Sequence, residues 1–257
     1  MAKNKSTISL RSYQGKRLVS FLRNGDYAHP GETEAIIQVM SKFPKNKHQV
    51  ILDAGCGLGG TAFFIKENHW GNVIGIDIET NSILHAKKHY PSLEFHIADV
   101  NNAKQVFDDR TFDLICLFNS FYAFHDQTSA LLSLADIAKS HSKIAIFDYS
   151  DPLISLRTPL YREGNKETTP FKPIKINQIK ELLRKTHWHL TELIDITDNY
   201  IKWYSDLLNK LLANKNEVIE KFGQPLFNKA HQVYFKIHDS LLKKMLGGAI
   251  IYAEKQI

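Results

Sequence analysis

Four glycines crowd one short stretch of this chain, Asp53-Ala54-Gly55-Cys56-Gly57-Leu58-Gly59-Gly60, between the apolar run Val50-Ile51-Leu52 and a helix-like segment from Gly60 to Glu67. Residues without side chains at a strand-to-helix turn let backbone pass close to a ligand, and the helix start offers free N–H groups to negative charge. Gly55, Gly57 and Gly60 satisfy the G-x-G-x-x-G spacing, which a nicotinamide or flavin site would share. Three carboxylates accompany the turn. Asp77 closes the second apolar run, where it can accept both hydroxyls of a ribose and so serves either kind of cofactor. Asp53 precedes the turn, and Asp99 follows the third run in Ala98-Asp99-Val100.

The outer two acids discriminate between cofactors. A carboxylate at Asp53 repels a pyrophosphate but can organise the region around an amino-acid ammonium group. Asp99 lies on the adenine side of the same crevice, where it can accept a hydrogen bond from an exocyclic amine. A ligand with an amino acid at one end and a nucleoside at the other, S-adenosylmethionine, meets both conditions. Each residue alone has an ordinary structural use, the glycines as turn formers and Asp77 and Asp99 as caps. Their joint placement at the ends of consecutive strands carries the reading.

The elements that must hold these residues follow from hydrophobic periodicity. From Gln49 to Asp148, short apolar runs alternate with helix-length amphipathic segments, the pattern of parallel strands joined by crossover helices. The predicted strands are Val50 to Leu52, Asn72 to Ile76, Leu93 to Ile97, Phe112 to Leu117 and Lys143 to Phe147. The predicted helices are Gly60 to Glu67, Thr80 to His89 and Gln127 to Ser140, with Ile83, Leu84 and Ala86, or Leu131, Leu134 and Ile137, on their inward stripes. A helix from Ile176 to Lys185, a strand from Trp188 to Ile196, a long helical stretch from Tyr200 to Lys244 and a last strand from Gly248 to Ala253 complete the order. The domain reading is an N-terminal helical lid over residues 1–45 and a catalytic domain over 46–257, with insertions at about 150–175 and 200–244. The first insertion is rich in Pro-containing turns.

Composition narrows the class. The 33 Lys and Arg against 27 Asp and Glu make the chain basic, but they are scattered and suit an anionic small molecule as well as nucleic acid. No apolar run approaches the roughly 20 residues of a membrane span, and the N-terminus leads into no signal core. Two cysteines, Cys56 and Cys116, are poor material for a disulfide framework and fit a reducing, cytoplasmic setting. His85 and His89 share a helix face without a third ligand, and His187 and His189 alternate along a strand, so a bound metal is not expected.

Taken together, Ile51 to Gly60, Gly75-Ile76-Asp77-Ile78 and Ala98-Asp99 resemble the class I S-adenosylmethionine-dependent methyltransferases over roughly residues 45–150. That resemblance implies a doubly wound α/β fold, a mostly parallel seven-stranded sheet whose last strand is antiparallel. It also implies a cofactor set of Asp53, Gly55, Cys56, Gly57, Gly59, Asp77, Ile78, Ala98, Asp99, Val100 and Asn119. The helical stretch before the last strand is similar to the caps of phosphoethanolamine, sterol and quinone-type small-molecule methyltransferases. Tyr13 and Tyr27-Ala28-His29-Pro30-Gly31 are similar to the lids of the first group, which adds Tyr27 and His29 as residues that close over the cofactor. As an alternative, both form a helix-entry turn. Ala123 stands where that group carries its catalytic histidine, with His125 two residues later.

Methyl transfer from a sulfonium is an in-line displacement that depends mainly on alignment and exclusion of water. The segment Phe118 to Asp126 reaches the crevice, so His125 could accept a proton and Tyr122 could orient an amine or meet a cation with its ring face. Alternatively, Tyr122 and Phe124 pack while His125-Asp126 caps the next helix. Asn119-Ser120-Phe121-Tyr122 lacks the prolines of the Asn-Pro-Pro-Tyr motif of exocyclic-nitrogen methylases, which argues against a nucleic-acid partner and for a small-molecule acceptor. Two other readings stand beside this one, a nicotinamide-dependent oxidoreductase and a catalytically inactive cofactor-binding protein.

Overall fold

The computed structural model describes residues 9–152 and 171–256. Two helices come first, α1 (Tyr13–Arg23) and α2 (Glu32–Met40). The alternating core then runs β1 (Val50–Ala54), α3 (Gly60–Glu67), β2 (Asn72–Asp77), α4 (Thr80–His89), β3 (Glu94–Ile97), α5 (Ala103–Phe107), β4 (Phe112–Phe118), α6 (Gln127–Asp136) and β5 (Ala138–Asp151). After the undescribed residues come β6 (Ile174–Lys175), α7 (Ile179–Lys185), β7 (Trp188–Asp195), α8 (Thr197–Ala213), α9 (Lys215–Phe222), α10 (Gln224–Leu242) and β8 (Gly247–Lys255).

The strands form one sheet in the order β3-β2-β1-β4-β5-β8-β7, with β6 pairing beside the end of β5. Strands β1 to β5 are mutually parallel, and β8 runs antiparallel to both β5 and β7. The chain leaves β1 toward β2 and β3, then returns to the other side of β1 with β4. That reversal opens a crevice beyond the carboxyl ends of β1 and β4, the usual ligand position in open α/β sheets.

Side chains alternate across the sheet and split the core in two. Ile51, Cys116, Phe118, Phe147 and Tyr149 face the layer that holds α1 to α4 and the α8–α10 segment. Leu52, Ile76, Ile115, Leu117, Ile144 and Ile146 face α5, α6, α7 and Trp188. Side chains capable of hydrogen bonding cap the helices locally. Asp126 accepts from the backbone N–H groups of Thr128 and Ser129 at the start of α6, and Glu79 does the same for Asn81 and Ser82 at α4.

Several boundaries differ from the sequence reading. The helix predicted to reach Ser140 stops at Asp136, because residues from Ala138 onward join the sheet beside β4. Leu84 is not on the inward stripe of α4; it is 56% exposed while Ile83 and Ala86 are buried. The helix expected from Ile176 begins at Ile179, since Ile174 and Lys175 pair with Ser150 and Asp151 as an additional, eighth strand. Tyr200 to Lys244 resolves into three helices, broken at Asn214 and Gly223, and Phe235 points outward while Trp203, Tyr204, Phe227 and Tyr234 pack. Most of the Pro-rich insertion predicted near 150–175 lies outside the described residues.

Candidate cofactor and acceptor site

The glycine turn is held open by its backbone conformation. Gly55, Gly57 and Gly59 all have left-handed φ values, +88°, +54° and +91°. The N–H groups of Gly55 and Cys56 both donate to the carbonyl of Ile76, which ties the turn to the end of β2. A side chain at Gly55 would strike Ser120, whose hydroxyl donates to the Ala54 carbonyl at 2.7 Å, and one at Gly59 would meet Ala86 and Phe95 at 2.9 Å. Gly57 alone faces looser surroundings, with Ala28, Lys16 Cδ and Lys16 Nζ at 3.7–3.9 Å from the place a Cβ would take.

Asp53 leaves β1 on the same side as Ile51 and is 1% exposed. Its Oδ2 has no hydrogen-bond partner among the described residues, and burial, reinforced by the nearby Asp77 charge, pushes its pKa up to about 7. A buried carboxylate oxygen left unpaired is costly, which marks a place shaped for a polar or cationic group. Asp77 is better provided. Its Oδ2 accepts from Gly57 N–H and from Lys16 Nζ, both at 2.9 Å, and its Oδ1 accepts from Glu79 N–H at 2.8 Å. Ile78, the next residue, is 67% exposed, an apolar platform beside the acid. Across from it, Ala98 and Asp99 are half-buried and Val100 is buried. Asp99 Oδ1 accepts from the backbone N–H and the side-chain amide of Asn101, both at 2.9 Å, and so caps a single helical turn. Cys56 is a buried free thiol whose pKa is raised by burial, as is Cys116.

The segment between α1 and α2 packs onto this turn. His29 is buried, with Nδ1 at 3.0 Å from the Pro30 carbonyl and Nε2 at 3.0 Å from Thr61 Oγ1. Burial lowers its pKa to about 3, so the ring is neutral, with Nδ1–H donating and Nε2 accepting. Tyr27 is half-buried with its ring 5.9 Å from that of His29. Asp26 accepts from Ser20 Oγ at 2.7 Å and Tyr90 OH at 2.9 Å, and pairs with His85 Nε2 at 2.8 Å. Burial alone would raise Asp26, but these partners together bring its pKa below the ordinary value. His89 stacks on the His85 ring at 3.9 Å.

Beyond the turn, Asn119 adopts φ +53° just after β4, and its Oδ1 accepts from Tyr200 OH at 2.9 Å. Tyr122, half-buried, meets Tyr149 edge-on at 4.9 Å and Phe171 at 5.2 Å. Tyr149, Tyr200, Tyr204 and Tyr234 continue this aromatic wall into the α8–α10 segment, and the Tyr149 and Tyr204 hydroxyls are hydrogen bonded. Asp148, in the last third of β5, accepts from the backbone N–H groups of Tyr122 at 3.0 Å and Tyr149 at 2.7 Å. Burial raises its pKa to about 7 despite those bonds. His125 stands apart from the wall, exposed at the entry to α6, where its neighbour Asp126 is the cap.

The structure thus brings the glycine turn and Asp77 together, carries Ile78, Ala98 and Asp99 on the neighbouring strand ends, and sets Asn119 beside the turn through Ser120, with Tyr122 following two residues later. Lys16, Ser120, Asp148, Tyr149 and Tyr200 join them without having been expected. Only Asp148-Tyr149, directly after the predicted strand Lys143 to Phe147, left a sequence signal.

Comparison with known proteins identifies the family and the fold. The family described as "Methyltransferase domain" matches residues 45–217, and the chain belongs to that family. Phosphoethanolamine N-methyltransferase from Triticum aestivum is 27% identical over 184 residues, covering 68% of this chain and 35% of that protein. The chain thus spans about a third of the length of that relative. Among solved structures, phosphoethanolamine N-methyltransferase 2 from Haemonchus contortus, in complex with phosphomonomethylethanolamine and S-adenosylhomocysteine, superposes with a TM-score of 0.85 at 16% identity. That match covers 98% of this chain and 61% of the other. A cyclopropane synthase from Mycobacterium tuberculosis gives a TM-score of 0.82 at 16% identity, covering 98% of this chain and 100% of the other. The fold is the class I S-adenosylmethionine-dependent methyltransferase fold, and the dinucleotide oxidoreductase reading gives way to it. No helix among the described residues is long and apolar enough to cross a membrane.

Proposed function

We propose that this chain transfers a methyl group from S-adenosylmethionine to a small-molecule acceptor that docks against Tyr122 and the α8–α10 segment. The observation that carries the reading is the unpaired Oδ2 of Asp53, sealed beside a left-handed glycine turn and within reach of the Asp77 charge. An ammonium group is the natural partner for it. In this assignment Asp53 receives the amino-acid end of the cofactor, Asp77 the ribose, Ile78 and Val100 the faces of the adenine, and Asp99 its exocyclic amine. Gly55, Cys56, Gly57, Gly59, Ala98 and Asn119 shape the walls. The cofactor supplies an electrophilic methyl group on a sulfonium.

The protein's own contribution is alignment and exclusion of water. Asp148 fixes the Tyr122 backbone, Tyr200 fixes Asn119, and the helices of residues 1–45 act as a lid through the Asp26 latch. Tyr27 closes beside the cofactor, while His29 holds the lid from within through Thr61. Tyr122, not the exposed His125, is the residue placed to touch an acceptor. Scattered positive charge and a narrow aromatic wall favour a metabolite over nucleic acid. Two buried free thiols suit a cytoplasmic setting.

Isothermal titration with S-adenosylmethionine, S-adenosylhomocysteine and reduced nicotinamide cofactor tests the reading. Binding of the first two alone is expected, together with a product heavier by one methylene from a metabolite extract. No binding of either at millimolar concentration refutes it. Binding without any methylated product would favour an inactive cofactor-binding protein.

A further inference from the structure

The contact between Lys16 and Asp77 carries an inference that rests on the assignment of the ribose to Asp77 and goes one step past it. An ionised carboxylate offers about four lone-pair positions, two on each oxygen. Both positions on Asp77 Oδ2 are used, one by Gly57 N–H and one by Lys16 Nζ, each at 2.9 Å. Oδ1 has one in use, by Glu79 N–H at 2.8 Å. A ribose diol seated across the carboxylate needs a position on each oxygen, so one present donor has to leave Oδ2. Gly57 N–H is fixed by the left-handed glycine turn. The Lys16 ammonium rides on a flexible four-carbon stem.

We propose that Lys16 is an internal competitor for the ribose, so that a nucleoside takes Asp77 only by displacing the ammonium and freeing the start of α1 from the glycine turn. The stem lies across the turn itself, with Cδ and Nζ 3.8 and 3.9 Å from the place a Cβ on Gly57 would take. Both side chains of the pair are largely shielded from solvent, so the contact is little weakened by salt. The same stretch of chain reaches the acceptor side, where the Arg11 guanidinium stands 4.8 Å over the Tyr122 ring. One strap therefore covers both ends of the crevice with cations. Its far end stays anchored when Lys16 lets go, because Ser20 donates to Asp26, which is held by His85 and Tyr90.

The test is titration of S-adenosylhomocysteine into the wild type, Lys16→Met and Lys16→Gln. Both variants are expected to bind about tenfold tighter than the wild type. Equal or weaker binding overturns the proposal, and weaker binding would make Lys16 a ligand of the cofactor instead of its rival. If none of the three proteins binds at millimolar concentration, the assignment of the crevice to this cofactor fails, and the proposal with it. Should both variants fail to fold, the wild type decides through amine labelling of Lys16 quantified by mass spectrometry. Labelling is expected to accelerate several-fold at saturating S-adenosylhomocysteine. Unchanged or slower labelling, with binding shown by calorimetry, overturns it.

Discussion

Replacing Asp53 by asparagine should make the protein more stable and less able to bind its cofactor, with a pH dependence that identifies the cause. Asp53 is buried, Oδ2 is unpaired, and its pKa stands at about 7 against an ordinary value of 3.8. Between those values the folded protein holds a proton that the unfolded chain has released. Stability therefore falls as pH rises from about 4 to about 7, and the full penalty is present above that range. Roughly three pKa units at about 1.36 kcal/mol each set an upper bound of about 4 kcal/mol. Asp53→Asn removes the charge but leaves a buried amide short of partners, at a cost of about 1–3 kcal/mol. The expected net gain at pH 8 is about 1–3 kcal/mol, with each kcal/mol worth roughly 2–4 °C in a chain of this size. Near pH 5 the two proteins should converge or cross. Thermal unfolding of both across this range is the assay, and the difference between them cancels the similar titration of Asp148. Parallel profiles, offset equally at every pH, would refute the reasoning.

Other outcomes follow from the same geometry. Binding of a cofactor ammonium beside Asp53 should lower its pKa and release a proton near pH 6.5, so the calorimetric heat should vary with the ionisation enthalpy of the buffer; identical heats in all buffers would contradict this. Asp77→Asn should weaken S-adenosylhomocysteine binding by roughly 10- to 100-fold, the worth of a charge-assisted hydrogen bond, as read by titration. Gly59→Ala places a Cβ 2.9 Å from Ala86 and Phe95 at φ +91°, and should cost roughly 2–4 kcal/mol in denaturant unfolding. His125→Ala should leave turnover nearly unchanged, whereas Tyr122→Leu should lower it with cofactor affinity intact; the reverse pattern in steady-state kinetics would restore His125 as the proton acceptor.

The candidate cofactor half of the site was legible because it is local. Asp53 with the glycines, Asp77 and Asp99 lie at the ends of short apolar runs that alternate with amphipathic helices, and parallel order brings strand ends together without further information. The acceptor half depends on contacts far apart in sequence. Tyr200 reaches Asn119 across 81 positions, and no periodicity announces that Tyr149 and Tyr204 will share a hydrogen bond. Lys16 reads as one more lysine on an amphipathic helix, and its meeting with Asp77 is set only by how α1 lies on the sheet. The extra strand β6 was hidden by its length, two residues, and the early stop of α6 by Ala138-Lys139-Ser140-His141-Ser142, a stretch with one apolar residue and so no periodicity to announce the start of β5. The partner of His85 was likewise out of reach of the sequence: its Nε2 pairs with Asp26, 59 positions away, while His89 stacks on the His85 ring.

The proposed function requires the three acids and the glycine turn to hold one nucleoside together. A crystal structure with S-adenosylhomocysteine tests it most directly. The amino group is expected beside Asp53 Oδ2, the ribose diol across both oxygens of Asp77, and the adenine between Ile78 and Val100 with its amine toward Asp99. A ligand bound elsewhere, or carboxylates that leave it untouched in the crevice, would contradict it.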